Sequence, residues 1–143
     1  MGWPSMKATV DTNILLRAFL DDHPTQSPAA QKALNGAELL AVTLPTLCEF
    51  AWVLRKGYKR SKQELSVALE TIIDIPTISL DRPAVEAGLA LVAADGDFAD
   101  GVIAYEGKRL GGDIFLTFDR AAADLLAKAS IATSLLSSAP GDR

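Results

Sequence analysis

The stretch "ATVDTNILLRAFLDD", residues 8–22, places a short strand directly before a helix, with Asp11 at the junction. The β-branched Thr9 and Val10 favour extended backbone, whereas the apolar residues of 14–20 recur at helical spacing. The same order returns in "IFLTFDRAAADLL", residues 114–126, where Asp119 separates an apolar strand from a helix. Two such junctions in one chain indicate an α/β fold.

Strands and helices alternate along the rest of the chain. "SKQE", residues 61–64, is a capping box that opens one of the helices. This alternation predicts a parallel sheet covered by helices on both faces, with the functional site at the carboxyl ends of the strands. The further predicted strands are 38–42 and 77–80, and the further predicted helices are 24–37, 43–56, 61–73, 83–94, 97–110 and 120–129.

The composition is that of one soluble domain. The chain has 143 residues, of which 49% are hydrophobic and 22% charged, and no repeat or linker divides it. We therefore expect a single domain over residues 1–143, with 1–6 as an extension and 137–143 as a flexible tail. Charges interrupt every long apolar run, and the N-terminus lacks an apolar signal region. These features, together with a single cysteine, predict a cytoplasmic protein without a membrane span.

The net charge of −4 limits the classes of partner. An acidic chain is not expected to coat nucleic acid by general electrostatic attraction. An enzyme acting on nucleic acid stays possible, since carboxylates that hold Mg²⁺ make the bare chain more acidic than the working protein.

Glu49 is the one charge in "LPTLCEFAWVL", residues 44–54. At helical period it shares a face with Thr46, Trp52 and Val53, which predicts a packed face. Trp52 is expected in the core, with a place at an interface, as for Trp3 and Tyr58, as the alternative. No basic residue lies three or four positions away to pair with it. A buried carboxylate without a partner normally becomes protonated, pairs or binds a metal.

Four aspartates lie where helices are predicted to begin. Asp11 and Asp119 could each be a simple N-cap, and Asp97 and Asp100 fit the first turn of one helix, where acids are favoured. Each aspartate alone is weak evidence for a site. If all four converged with Glu49, they would offer the hard oxygen ligands that Mg²⁺ prefers.

The segment "RKGYKRSK", residues 55–62, carries five basic residues in eight. It could be a helix C-terminus followed by a solvated turn. It could also form a rim that contacts RNA phosphates, with an aromatic ring for stacking on bases. The candidate rim residues are Arg55, Lys56, Tyr58, Lys59 and Arg60.

Four blocks, "VDTNILLR", the glutamate in "LCEFAWVL", "DFADGVIAYEGKRLGG" and "FLTFDRAAADLL", occur in the order seen in one nuclease family. With them the chain resembles the PIN-domain nucleases, in particular the VapC-type toxins of toxin-antitoxin pairs, from about Thr9 to Leu126. The resemblance implies a three-layer sandwich with a central parallel sheet of four or five strands. Two positions depart from the family pattern. Gly101 stands after the third acid, where many members have a small residue such as alanine. "YEG" stands where a run of alanines is common.

The resemblance also implies roles for individual residues. Asp11, Glu49, Asp100 and Asp119 match the acidic quartet of the family, and Asp97 matches an additional acid. Asp11 and Asp119 would be direct metal ligands, while Glu49 and Asp100 would bind the same or a second ion or accept the proton of the attacking water. Polar or basic residues expected near the metal and the phosphate are Thr12, Asn13, Arg17, Thr117 and Arg120.

By this resemblance the protein is expected to be a Mg²⁺-dependent endoribonuclease, with Mn²⁺ as a substitute ion. It is also expected to form a homodimer and to be held by a cognate antitoxin. Two alternatives stay open. A Mg²⁺-dependent phosphatase using Asp11 as nucleophile would need a second aspartate where the chain has Asn13, and a non-catalytic binding module would use the acids only as caps.

His23 offers no other catalytic centre. It is the only histidine and lies in the polar stretch "DDHPTQ", which predicts a surface residue. Because the chain has no second histidine, a Ser-His-Asp triad cannot be built elsewhere. The sequence also has no Gly-rich phosphate loop of the Walker or dinucleotide type.

Overall fold

The computed structural model describes residues 6–137, which divide into two compact units, 6–82 and 83–137. The residues of the expected extension before Met6, and those of the expected tail from 138 to 143, lie outside the described part. Within that part, no helix is long and apolar enough to cross a membrane. The single domain over 1–143 stays a prediction.

The first unit contains a parallel sheet of three strands, β1 (Lys7–Thr9), β2 (Leu39–Ala41) and β3 (Ile78–Ser79), in the order β1-β2-β3. Leu40 at the centre lies opposite Ala8 on one side and Ile78 on the other. The three predicted strands of this half are therefore confirmed, although each is shorter than its apolar run in the sequence.

Helices connect these strands, as parallel pairing requires. Helices α1 (Thr12–Leu20) and α2 (Gln26–Gly36) follow β1, while α3 (Leu44–Trp52) and α4 (Lys62–Ile73) follow β2. All four were predicted, but the helix predicted over 43–56 changes character. Its last turn, Val53–Gly57, is a π-helix, which we call the π-turn. The fully buried core side chains of this unit include Leu15, Leu47, Phe50, Leu69 and Ile72.

The capping box predicted at Ser61 is present. The Glu64 amide donates to Ser61 Oγ at 3.1 Å, and the Ser61 amide donates to Glu64 Oε1 at 3.0 Å. These two bonds satisfy donors that the first turn of α4 would otherwise leave unpaired, so α4 begins where the sequence predicts.

The second unit contains α5 (Arg82–Ala93), α6 (Phe98–Arg109), β4 (Phe115–Thr117), α7 (Arg120–Lys128) and β5 (Thr133–Leu135). Strands β4 and β5 are parallel, with Leu116 opposite Ser134. The helices and β4 were predicted, whereas β5 was not, because a three-residue strand in "IATSLL" carries no clear alternation.

The predicted sheet architecture needs a correction. The described strands pair as two parallel sheets, one of three strands and one of two, and not as one central sheet of four or five. Nor is β4 covered on both faces, since Leu116 is 63% exposed. An apolar run predicts a buried strand, but it does not state which of its residues another element will cover.

Gly101 allows α5 and α6 to approach closely. A Cβ added to Gly101 would lie 2.5 Å from the Ala87 carbonyl oxygen and 2.8 Å from Gly88 Cα. Both are backbone atoms, which cannot rotate away. The glycine at position 101 therefore has a structural reason, because its missing side chain is what permits the contact.

We expect Gly101→Ala to lower the free energy of unfolding by about 1–3 kcal/mol, since overpacking outweighs the better helix propensity of alanine. Gly107→Ala is the matched control on the same helix, because an added Cβ there meets nothing within 4 Å. It should raise the free energy of unfolding by up to about 1 kcal/mol. Urea unfolding of both variants checks this, and equal stabilisation by the two alanines would contradict the close approach.

Candidate metal centre

Asp11 begins α1 as its N-cap. The Asn13 amide donates to Asp11 Oδ1 at 2.7 Å, and the Asp11 backbone is extended. The simpler interpretation of this aspartate, a helix cap, is therefore confirmed. It does not exclude a second role, since a carboxylate has about four acceptor sites over its two oxygens and the cap uses one oxygen. The side chain is exposed just beyond the carboxyl end of β1.

Glu49 is bound by the next residue of α1. Thr12 Oγ1 donates to Glu49 Oε1. This contact joins the beginning of α1 to the middle of α3 within the first unit, and so it holds Glu49 close to the residue that follows Asp11. No local pattern in the sequence indicates this partner, because 37 positions separate the two residues.

The face of α3 that carries Glu49 is not packed, which corrects the sequence interpretation. Glu49 is exposed, and Trp52 is 62% exposed and outside the core. The opposite side of α3 is the buried one, through Leu47, Phe50 and Ala51. Helical period shows which residues share a face but not which face meets the core. Glu49 therefore does not need a metal to compensate for burial.

Asp97 and Asp119 are also N-caps, each in the second unit. The Ala99 amide donates to Asp97 Oδ1 at 2.9 Å, and the Ala122 amide donates to Asp119 Oδ1 at 3.1 Å. Thr117 contributes at the second of these junctions, where its hydroxyl accepts a bond of 3.0 Å from the Asp119 amide. The cap and the Thr117 bond together fix backbone and side chain at the end of β4.

Asp100 lies on the first turn of α6, among the other acids of its unit. Burial raises the pKa of the Asp100 carboxyl above its ordinary value, and the negative charges of Asp97 and Asp119 raise this pKa further. No basic group is among the causes of the shift. The three carboxylates thus share a local negative potential, which a divalent cation would relieve.

Some of the remaining polar candidates take part in local structural contacts. Asn13 supplies the amide that Asp11 caps, and Arg17 forms an ion pair with Asp22 at 3.5 Å. Arg120 is the exposed first residue of α7. His23 Nδ1 accepts from the Gln26 amide at 2.9 Å at the start of α2, which gives the only histidine a structural use.

The candidate RNA rim divides into anchored and outward side chains. Arg55 Nη1 donates to the Arg60 carbonyl at 2.8 Å, and Arg60 forms an ion pair with Glu64 at 3.2 Å. Lys56 and Lys59 are exposed, as is Tyr58. Arg55 therefore also shapes the backbone that presents the other residues.

The donor chemistry of the acids fits a hard divalent cation. The first unit brings Glu49 and Thr12 into contact next to Asp11, and the second unit gathers the three acids around Asp100. Among residues 6–137, no group of three or more His, Cys, Asp or Glu side chains is close enough to hold a metal ion by itself. Mg²⁺ does not need three, since it commonly binds one or two carboxylates and completes its shell with water and phosphate oxygens.

Residues 8–128 match the family model described as PIN domain. The chain belongs to the PIN domain family. PIN domains are generally metal-dependent nucleases that typically use Mg²⁺ or Mn²⁺. The match includes all five acids discussed above. A comparison with curated proteins found no significant match.

The raised pKa of Asp100 predicts an unusual pH dependence for this PIN domain. The folded carboxyl binds its proton more tightly than the unfolded one, so its contribution to stability is present at low pH and is lost as the pH rises through the raised pKa. Asparagine cannot ionise. The stability of Asp100→Asn relative to wild type should therefore increase between about pH 4 and about pH 7.

Urea unfolding in EDTA at the two pH values measures this difference. Glu86→Gln, which removes an exposed acid from α5, is the control and should show a smaller change with pH. An Asp100→Asn advantage that shrinks as the pH rises would contradict the shift.

Proposed function

We propose that this PIN domain is a Mg²⁺- or Mn²⁺-dependent endoribonuclease and the toxin of a toxin-antitoxin pair. The observation that carries the proposal is that Asp100 is partly buried and that the charges of Asp97 and Asp119 raise the pKa of its carboxyl, within a chain of this family. Carboxylates gathered without a basic partner destabilise a protein, and a metal-dependent activity gives them a use.

In this proposal Asp11 and Asp119 are direct ligands, and Glu49, Asp97 and Asp100 either bind metal or accept the proton of the attacking water. The chemistry that the ion supplies when bound is Lewis acidity toward the phosphate and activation of water. The caps at Asp11 and Asp119 fix each carboxylate at a strand end before any ligand arrives. Thr12 restricts Glu49 in the same way. Such preorganisation reduces the reorganisation that binding requires.

RNA as the substrate, and a cytoplasmic location, rest on the resemblance to VapC-type toxins. PIN nucleases as a group act on RNA or DNA. The exposed cations Lys56 and Lys59 support a nucleic-acid substrate of either kind, because they offer phosphate contacts on an acidic chain.

A cognate antitoxin and a homodimer complete the proposal, and apolar surface in each unit supports them. The first unit has a groove of about 400 Å³ beside Phe19, Leu20, Leu54 and Val67, which suits an apolar peptide segment. In the second unit Ile114, Leu116 and Phe118 are each more than half exposed, and exposed apolar patches commonly mark contacts between proteins.

Cleavage of a mixed RNA pool by the purified protein tests the function. We expect cleavage with Mg²⁺ or Mn²⁺ and none with EDTA. Asp11→Asn and Glu49→Gln should each lower the rate by about 100-fold or more, because each removes a charge that the reaction needs. Absence of cleavage by partner-free wild type in every metal would contradict the proposal and leave the acids as caps or as part of a binding module.

Two substitutions of Asp11 distinguish its role as a helix cap from its proposed role as a metal ligand. Asparagine caps a helix about as well as aspartate, so Asp11→Asn should unfold like wild type in EDTA while losing activity. Asp11→Ala should lose activity and also about 1 kcal/mol of stability. Equal activity of wild type and Asp11→Asn would show that Asp11 is only a cap.

The contact between Thr12 and Glu49 gives a further expectation. Thr12→Val removes the hydroxyl, so Glu49 loses its orientation and the Mg²⁺ concentration for half-maximal cleavage should rise about tenfold. Thr12→Ser keeps the hydroxyl and should stay close to wild type. A Mg²⁺ titration of the cleavage rate measures both, and identical curves for valine and serine would mean that the contact has no role.

A further inference from the structure

Trp52 is the last residue of α3, and 62% of its surface is exposed. Tryptophan combines a large apolar ring with a polar N–H and is enriched at binding surfaces. Trp52 follows Glu49 by three positions, so the two side chains are neighbours on one face of the helix. The exposed indole therefore lies next to a proposed residue of the nuclease site.

The π-turn begins directly after Trp52, and basic residues lie in it and just after it. Lys56 and Lys59 are exposed, and Tyr58 is 39% exposed. Their backbone is held by hydrogen bonds. The Tyr58 amide donates to the Val53 carbonyl at 2.9 Å, the Arg60 amide donates to the Leu54 carbonyl at 2.9 Å, and the Arg55 side chain donates to the Arg60 carbonyl. Lys59 adopts a left-handed conformation, with φ of 54°, within this arrangement.

We propose that Trp52 stacks on an unpaired base of single-stranded RNA. Lys56 in the π-turn and Lys59 just after it contact the adjacent phosphates. The inference rests on the proposed nuclease function and names the form of RNA that its site accepts. Because Trp52 neighbours Glu49, the stacked base belongs to a nucleotide close to the cleaved bond. A base inside a duplex has no free face for such stacking.

The charges around Trp52 favour RNA over a protein partner. The centres of protein interfaces are depleted in Lys and Glu, but Trp52 lies between Glu49 and the basic π-turn. Contacts with nucleic acid are polar and strongly charged, and single strands bind where aromatic rings accompany cations. The combination of one exposed indole with a hydrogen-bonded basic turn fits the second description.

Binding of short RNA in EDTA tests the inference apart from cleavage. Fluorescence anisotropy with a labelled single-stranded oligoribonucleotide should give a roughly 5- to 150-fold higher Kd for Trp52→Leu than for wild type. Trp52→Phe keeps an aromatic ring and should recover most of the affinity. Leu110→Ala, at a large apolar residue that is 89% exposed and has no part in the proposed site, is the control and should bind like wild type.

Fluorescence of Trp52 gives an independent measurement. The chain has two tryptophans, so Trp3→Phe leaves Trp52 as the only one. Single-stranded RNA should quench its emission, and duplex RNA of the same sequence should quench it less. Unchanged emission, equal affinity of Trp52→Leu and wild type, or no binding by wild type would each overturn the inference.

Three further outcomes distinguish the inference from a role of Trp52 in a dimer and from the proposed nuclease function. If Trp52→Leu converts a dimer to a monomer in sedimentation while RNA binding stays the same, Trp52 is a contact between copies of the chain and the inference is wrong. If wild type cleaves RNA with Mg²⁺ but does not depend on Trp52, only the inference fails. If binding depends on Trp52 but no metal supports cleavage, only the proposed nuclease function fails.

Discussion

The hydrogen bond from a helix amide to an aspartate at the end of a strand is the interaction on which the arrangement of the candidate site depends. At Asp11 and Asp119 it begins a helix, ends the extended backbone and holds the carboxylate at the carboxyl end of a parallel strand. Asp97 uses the same bond at the start of α6. The capping role of these aspartates is therefore compatible with their proposed role as metal ligands, because the cap is what positions the acid.

The charge of Asp100 acts against the fold that positions it. Asp100 is partly buried beside two other carboxylates, and its raised pKa reports the resulting penalty on the ionised form. Natural proteins retain such unfavourable groups mainly where function requires them. Glu49 differs, since it is exposed and has the Thr12 hydroxyl as a partner. The two units thus hold their acids under different electrostatic conditions.

The sequence predicted most of the elements, because caps, glycines and apolar periods act locally. The Ser61 capping box and the strand before Asp11 are examples. Features that depend on distant residues were missed or wrong. The helical period correctly placed Glu49 and Trp52 on one face of α3, but it did not predict that this face is exposed. No local pattern linked Thr12 to Glu49. The need for glycine at position 101 depends on the backbone of α5, which lies too close for a Cβ. For the site, sequence supplied the identity of the acids, whereas structure supplied their partners.

The caps also carry a consequence for ion selectivity. At Asp11, Asp97 and Asp119 the amide occupies one acceptor site of Oδ1, so Oδ2 is the oxygen with both acceptor sites open to a cation. Calcium readily takes both oxygens of a carboxylate in a large and irregular shell, whereas magnesium requires a small octahedron of single oxygen contacts. Chelation of calcium by these side chains would compete with helix initiation. If these aspartates bind a cation as proposed, their caps would favour an ion that takes one oxygen from each carboxylate.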